Sequence, residues 1–294
     1  ADCLELAEEQ SERLGSLLAD VRIAEARRAL ARGSALPTLS ARAEHTRQED
    51  TGSKSAFALS DRSETRLVLE QPLFQGFRDL YSYRGAGLLE EAARKTRESA
   101  LLEVSLAVSE AYGRLLSLEG QREAVASSLA LSQSRWEELA ARLEAGLGRR
   151  TELLLAEAQV ARNEAQRTRL EGDCADARSF LGFLLGIPTD LALAPFPRFK
   201  PPDLPPEALA DRALGRRQDL QALARREAAA REAVRAASAA HWPSVDLTGN
   251  LYGQREGQSE AIDWDLAVSG NLPLFEGGRT PARVREAAAA QRKA

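Results

Sequence analysis

Side chains able to do covalent or acid–base chemistry are few in this chain, and their spacing does not suit it. The 294 residues hold two histidines, His45 and His241, and two cysteines, Cys3 and Cys174. No Cys-x-x-Cys pair occurs and no histidine lies near either thiol in sequence, so neither a metal-ligand nor a redox spacing is present. No Gly-rich loop follows a strand to cradle phosphate, no paired-ligand spacing occurs, and His45 and His241 are isolated. We read His45 and His241 as rim or interface residues rather than bases, and the cysteines as structural. A disulfide between Cys3 and Cys174, or a lipid on Cys3, stays open. Catalysis, a cofactor and a bound metal are therefore not expected. The informative spacing is that of backbone-shaping residues. Gln71-Pro72-Leu73-Phe74-Gln75-Gly76 returns as Asn271-Leu272-Pro273-Leu274-Phe275-Glu276-Gly277-Gly278, and Leu36-Pro37-Thr38-Leu39-Ser40 returns as Trp242-Pro243-Ser244-Val245-Asp246. A tandem repeat of helix, Pro, strand, loop, strand, Pro-Leu-Phe-x-Gly, helix follows.

Composition narrows the partners. A net charge of -4 gives no general attraction for nucleic acid. Low aromatic content, no Met and stretches of Ala, Leu, Glu, Arg and Gln are what long helices and coiled coils use. No run approaches the roughly 20 apolar residues of a membrane helix. The chain also begins without Met or a basic-then-apolar leader, which reads as a processed or trimmed product.

The elements around the repeated strings follow from periodicity. Residues 4–33 read as helix, ending at Gly33 ahead of Pro37. From Leu39 to Thr46, Leu39, Ala41 and Ala43 alternate with Ser40, Arg42 and Glu44. From Glu64 to Gln71, Thr65, Leu67 and Leu69 alternate with Arg66, Val68 and Glu70. These predict a β-hairpin with a polar loop over 48–62. After Gly76 there is no proline until Pro188, and Gly146-Leu147-Gly148 divides the stretch into two helices. At about 1.5 Å per residue the first would reach roughly 100 Å. Its 4-3 seam runs Val104, Val108, Ala111, Leu115, Leu118, Arg122, Val125, Leu129, Ser132, Trp136, Leu139, Leu143. The return seam is Ala156, Val160, Asn163, Arg167, Leu170, Cys174, Ala177, Leu181, Leu184. Seven of the 12 prolines lie from Pro188 to Pro206, predicting an extended linker. A helix over 207–240, with Leu209, Ala213, Leu220, Leu223, Ala230, Val234 and Ala237 on its seam, enters a second hairpin. There Val245, Leu247, Gly249 and Leu251 alternate with Asp246, Thr248, Asn250 and Tyr252, and Trp264, Leu266 and Val268 with Asp265, Ala267 and Ser269.

A strand pair with one apolar and one polar face must either cover a soluble core or join a closed barrel with lipid outside and water inside. Strands of this length suit a tilted membrane strand, and Tyr252, Trp264 and Trp242 fall where interface aromatics could lie. Helices of roughly 100 Å favour the barrel, because no globular core needs them and a conduit across a compartment does. A soluble coiled-coil scaffold or periplasmic adaptor is the alternative reading.

The chain resembles, over essentially its whole length, the TolC family of outer-membrane efflux proteins. Both Pro-Leu-Phe-x-Gly strings carry the resemblance. So do Arg142-Leu143-Glu144-Ala145-Gly146-Leu147 with Thr151-Glu152-Leu153-Leu154-Leu155-Ala156-Glu157-Ala158, Leu184-Leu185-Gly186-Ile187-Pro188, Arg217-Gln218-Asp219-Leu220, and Ala239-Ala240-His241-Trp242-Pro243. The resemblance implies a mostly α fold with a membrane β-barrel portion. In it, a homotrimer closes a twelve-stranded barrel in outer-membrane lipid and continues as an α-helical tunnel in the periplasm. It implies a first tunnel helix at 1–36, the first barrel hairpin at 37–75, a long helical hairpin at 76–187, and a Pro-rich linker at 188–206. A second tunnel helix at 207–241, the second hairpin at 242–276 and the start of a further helical hairpin at 277–294 complete it. On repeat logic that last hairpin is cut short, so the chain is expected to be a C-terminally truncated fragment. The implied strand–helix junctions are Pro37, Pro72, Gly76, Pro243, Pro273, Gly277 and Gly278, with Pro72 and Pro273 ending ladder pairing. Ala145-Gly146-Leu147 resembles the family's Val-Gly-Leu tip, which contacts a periplasmic adaptor. Arg149, Arg150 and Glu152 flank it, and Glu152 stands where the family commonly has Asp. The implied partners are that adaptor and, through it, an inner-membrane pump or ABC transporter. Export of small molecules or proteins, including type I secretion, is the implied function. The family's gating carboxylates lie largely in the last hairpin, so no gate residue is named.

Overall fold

The structure, a computed structural model, describes residues 2–49, 61–188, 193–195, 205–256 and 261–294. Most of the predicted 48–62 loop and of the 188–206 linker lies outside the described residues. Helices α1 (Asp2–Gln10) and α2 (Glu12–Gly33) occupy the first stretch, where a single helix over 4–33 was expected. Ser11 is the interruption. Its backbone still donates to Ala7 O and accepts from Gly15 N (3.1 and 3.0 Å), while its Oγ accepts from Leu14 N at 3.4 Å. A hydroxyl competing for a nearby amide is a local source of such irregularity. After α2, Ala35 N and Leu36 N donate to Arg32 O and Gly33 O, and Pro37 has no N–H to continue the series.

Strand β1 (Thr38–Arg47) pairs antiparallel with β2 (Asp61–Gln75), and β3 (Ser244–Arg255) with β4 (Trp264–Asn271). β2 also pairs antiparallel with β3, giving one four-stranded sheet in the order β1-β2-β3-β4. Pro72 does not end the ladder, contrary to expectation. It faces Asp246, and Phe74 and Gln75 beyond it face Val245 and Ser244. The register shifts between Pro72 and Phe74. That bulge at Leu73 absorbs the missing donor without stopping the strand. Pro273 lies just past the end of β4.

Helix α3 (Arg78–Glu144) and helix α4 (Arg150–Leu185) form the predicted helical hairpin. The 207–240 helix is broken into α5 (Pro206–Arg216) and α6 (Gln218–Ser238), followed by a 3₁₀ turn at Ala239–His241. The break is at Arg217, whose backbone is extended (φ -65, ψ 112). Its guanidinium donates twice to Asp219 in the next turn, at 3.1 and 2.6 Å. Arg217-Gln218-Asp219-Leu220 is thus a helix start. The buried face of α6 is Ala222, Ala229 and Glu232, one position off the predicted Leu223 and Ala230 seam, and α5 buries none of its residues. Helix α7 (Arg279–Lys293) closes the chain.

Two compact units result, Ala1–Ser16 with Arg97–Gly215 and Leu17–Thr96 with Arg216–Ala294. They do not coincide with the tandem halves, because the β2–β3 ladder draws both hairpins into one unit. The first unit is centred on Ala7, Val108, Ala111, Leu115, Ala177, Leu181 and Leu185, with Cys3, Val104, Leu118 and Ile187 against them. Cys3 and Cys174 are free thiols, so the disulfide left open above is not formed. Most of the predicted α3/α4 seam is inward, but Arg122, Trp136 and Arg167 are exposed. Asn163, 6% exposed, donates to Ser132 Oγ (3.0 Å) and Ser128 O (3.3 Å) and accepts from Gln159 (3.0 Å). A satisfied polar group in an apolar seam fixes register. In the second unit, Arg28 of α2 reaches buried Glu90 (3.1 Å) and the Tyr83 hydroxyl (3.0 Å) on α3, and Arg94 joins Glu90 to Glu25. The two hydrogen bonds hold the Arg28 guanidinium above its ordinary pKa, Glu90 contributing most.

Candidate functional site

Two features of the fold are unlike an ordinary globular surface, a helical tip in the first unit and a two-faced sheet in the second. At the tip, α3 ends on Glu144 and Gly146 takes a left-handed backbone (φ 75). Leu147 N then donates to Arg142 O and Gly146 N to Leu143 O, both at 2.9 Å. This pair of bonds caps the last carbonyls, and a hydrophobic residue in the Leu147 position ordinarily folds back onto the helix. The end of α4 uses the same device. Ile187 N donates to Gly182 O and Gly186 N to Phe183 O, and Ile187 does pack into the core. Leu147 instead is 83% exposed. Ala145, Arg149, Arg150 and Glu152 are exposed around it. Arg149 is extended and its carbonyl receives Glu152 N (3.0 Å). Glu152 in the first turn suits the positive end of α4, whereas Arg149 and Arg150 place like charge there. The tip residues are therefore brought together, as an apolar knob ringed by charge.

On the sheet, the pairing registers gather each face across four strands. One face carries the rows Leu39–Leu69–Gly249–Leu266, Ala41–Leu67–Leu251–Trp264 and Gln71–Leu247–Val268. Leu39, Leu67, Leu69, Leu251, Trp264, Leu266 and Val268 are all exposed there, a broad open apolar surface. The opposite face is polar and internally bonded. Asp265 accepts from Asn250 (2.8 Å) and from the Tyr252 hydroxyl (2.7 Å), and the Arg255 guanidinium lies over the Tyr252 ring at 4.1 Å. Arg66 and Arg255 both reach Glu64, at 3.0 and 3.6 Å, and Arg42 reaches Glu70 at 3.0 Å. Tyr252 thus belongs to the polar face and not with the interface aromatics expected from sequence; Trp264 is on the apolar face. Val68, which alternation puts among polar neighbours, is the exception on its face at 2% exposed. His45 sits at the loop end of the first hairpin, 3.1 Å from Ser63 Oγ and 3.0 Å from Asp61. His241 is exposed in the 3₁₀ turn.

The strand–helix junctions lie in the same unit as the sheet. Pro37 precedes β1 and Pro243 precedes β3, and Gln71 Nε2 bridges the first junction to Ala35 O at 3.0 Å. Gly76 (φ 61) and Gly277 (φ 62) each begin a two-residue left-handed bend, completed by Phe77 (φ 64) in one copy and Gly278 (φ 79) in the other. Sequence reasoning missed Phe77, although its alignment with Gly278 was the available signal. Phe77 is braced edge-on against Phe74, 5.2 Å between centroids. Among the described residues no helix is long and apolar enough to cross a membrane.

Known proteins resemble this chain in sequence and fold. A family profile described as "Outer membrane efflux protein" fits residues 3–187 and 209–294. The chain is 29% identical over 307 aligned positions to outer membrane protein OprJ of Pseudomonas aeruginosa, covering 96% of this chain and 61% of that relative's length. Among solved structures, it resembles the outer membrane protein VceC of Vibrio cholerae (TM-score 0.83, 22% identity, 99% of this chain and 72% of that one). It also resembles the outer-membrane channel OprN (TM-score 0.79, 24% identity, 99% and 68%). At these identities the structural likeness is one of fold, mostly helical with a few antiparallel strands.

Proposed function

Since the chain belongs to the outer membrane efflux protein family, we propose that it is a wall segment of a passive exit duct, serving a tripartite efflux or type I secretion system. The family is one of the cell outer membrane, and the compartment suits a sheet whose open face is Leu39, Leu67, Leu69, Leu251, Trp264, Leu266 and Val268. That face carries the reading. In water it would be a large apolar liability, and against acyl chains it is the surface a barrel presents, with Asp265, Arg66, Arg255 and Glu64 turned to an aqueous lumen. Three copies, each giving four strands, close the barrel in outer-membrane lipid. The helices prolong it into the periplasm.

The tip is the adaptor contact. Leu147 is spared from its own helix cap, and a small apolar knob ringed by Arg149, Arg150 and Glu152 fits the end of a partner's helical hairpin. Through that adaptor an inner-membrane pump or ABC transporter supplies the energy, so the duct itself needs no cofactor. Small molecules or proteins are the cargo, and the choice between them rests with the pump. The test is Leu147→Glu in a host lacking its own exit duct. The variant is expected to float with outer-membrane vesicles in wild-type amount while losing most export. A wild-type protein that stays in the soluble fraction would instead support a coiled-coil scaffold or adaptor. Full export by Leu147→Glu would remove the tip from the contact.

A further inference from the structure

The polar face of the sheet sets like charge against like charge in two successive rows. Arg42 of β1 stands directly opposite Arg66 of β2, and one row nearer the loop Glu44 stands directly opposite Glu64. Like charges directly opposed across an antiparallel pair are destabilising, and exchanging Arg42 with Glu44 would make both pairs complementary. The two guanidinium groups diverge. Arg42 reaches Glu70 toward the junction and Arg66 reaches Glu64 toward the loop, each at 3.0 Å, with the two arginine side chains 53% and 28% exposed.

A bulge brings a third guanidinium to the same level. Thr65 faces Gln254 while Arg66 faces Tyr252, so Gly253 is the extra residue. Before it, Asn250 and Tyr252 share the face of Asp265; after it, Arg255 does, opposite Glu64. Unbroken alternation would have turned Arg255 to the apolar face. As it is, Arg255 lies over the Tyr252 ring at 4.1 Å, in the row of Arg42 and Arg66. Charge is thereby sorted along the face. In the loopward half, Arg42, Arg62, Arg66 and Arg255 outnumber Glu44 and Glu64. From the row of Ser40, Val68, Asn250 and Asp265 to the junction, the described strand residues of this face hold Glu70, Asp246 and Asp265 and no cation.

We propose that Arg42, Arg66 and Arg255 form an anion-favouring collar in the exit lumen, which concentrates anionic groups of the cargo once they have passed the acidic junction half. The proposal rests on the exit-duct reading, which puts this face in water and repeats the three arginines in every copy around the pore. A ring of one sign raises the local concentration of the opposite sign. Its reach is about 8 Å at physiological ionic strength and about 30 Å at 0.01 M. The like-charged rows, costly to the hairpin, thus belong to what the duct carries.

Charged thiol reagents read the local potential in protein embedded in outer-membrane vesicles, with Cys3→Ser and Cys174→Ser as background. Anionic sulfonatoethyl and cationic trimethylammonioethyl methanethiosulfonate are compared at Ser40→Cys, two residues from Arg42, and at Ser269→Cys, opposite Asp246. In about 0.01 M salt the anionic-to-cationic rate ratio is expected to be at least about tenfold higher at Ser40→Cys, and the two sites should converge in about 1 M salt. Arg42→Gln with Arg66→Gln should lower the Ser40→Cys ratio about fivefold and leave Ser269→Cys unchanged, whereas Arg42→Lys with Arg66→Lys should preserve both. Arg255→Gln alone should lower the Ser40→Cys ratio about twofold, which keeps the test open if the double variant fails to fold. Equal ratios at the two sites, or a Ser40→Cys ratio untouched by neutralisation, overturns the collar and leaves the duct reading standing. A lipid-face probe, Leu67→Cys, that reacts with both reagents as fast as Ser40→Cys sinks both.

Discussion

Gly76 and Phe77 both hold left-handed backbone, at φ 61 and 64, at the point where strand turns into helix. Gly76 has no alternative there, because a Cβ would strike Ala239 O and Trp242 Cβ as well as strain the backbone. Gly76→Ala is expected to destabilise by about 3 kcal/mol, the sum of backbone strain and overpacking. Phe77→Gly should fall within about 1 kcal/mol of wild type, because relief of strain offsets loss of the edge contact with Phe74. Thermal unfolding of the extracted protein separates the two, and equal losses would contradict this account. Asp219 offers a pH-dependent check. Hydrogen bonding from Arg217 holds its carboxyl below the usual carboxylate range. A depressed folded pKa means the contribution is present above the unfolded pKa and is lost as pH falls through the folded one. Amide protection factors over 218–221, taken relative to the intrinsic exchange rate at each pH, should therefore be constant from neutral pH down to about pH 5 and fall only below about pH 4.

At the scale of an element, the same helix-ending hydrogen-bond pair serves two purposes. At Gly186 it tucks Ile187 into the core, and at Gly146 it leaves Leu147 in solvent. Ile187→Ser should cost about 2 kcal/mol of stability, from lost burial of a side chain, while Leu147→Ser should stay within about 0.5 kcal/mol. Chemical denaturation reads both, and a substantial loss for Leu147→Ser would mean that the knob supports its own hairpin. The α3/α4 seam shows why the heptads were readable. A 4-3 spacing of small and aliphatic residues has one inward face, and Asn163 is kept there because Ser128, Ser132 and Gln159 satisfy it. The α6 face was misassigned because in an Ala-rich helix many faces are equally apolar. Packing against neighbours, including Gly85 of α3 beside Glu232, chose among them.

For the whole molecule, the sheet decides where the protein can reside. Leu67 lies in the middle of the apolar face, paired with Ala41 on one side and Leu251 on the other. Leu67→Arg should cost about 2–4 kcal/mol if that face meets the bilayer midplane, and should reduce the fraction floating with outer-membrane vesicles. The neighbouring polar-face substitution Ser40→Arg should float as wild type does. Equal flotation of both would show that the face does not meet lipid.

The sequence by itself determined the elements and the repeat. Pro, Gly and the change of period from helical to alternating mark where the strands and the long helices begin, because they act on the local backbone; the helix breaks at Ser11 and Arg217 carry no such mark. They also placed the tip at Ala145-Gly146-Leu147 and carried the family resemblance. Only the tertiary structure decided that the ladder continues past Pro72, that Phe77 shares the left-handed bend, and that Leu147 stays free while Ile187 is buried. It also decided that β2 joins β3 and draws both repeats into one unit. These are outcomes of pairing between segments far apart in the chain. A residue's own φ and ψ preferences carry no information about which distant strand or helix will lie against it.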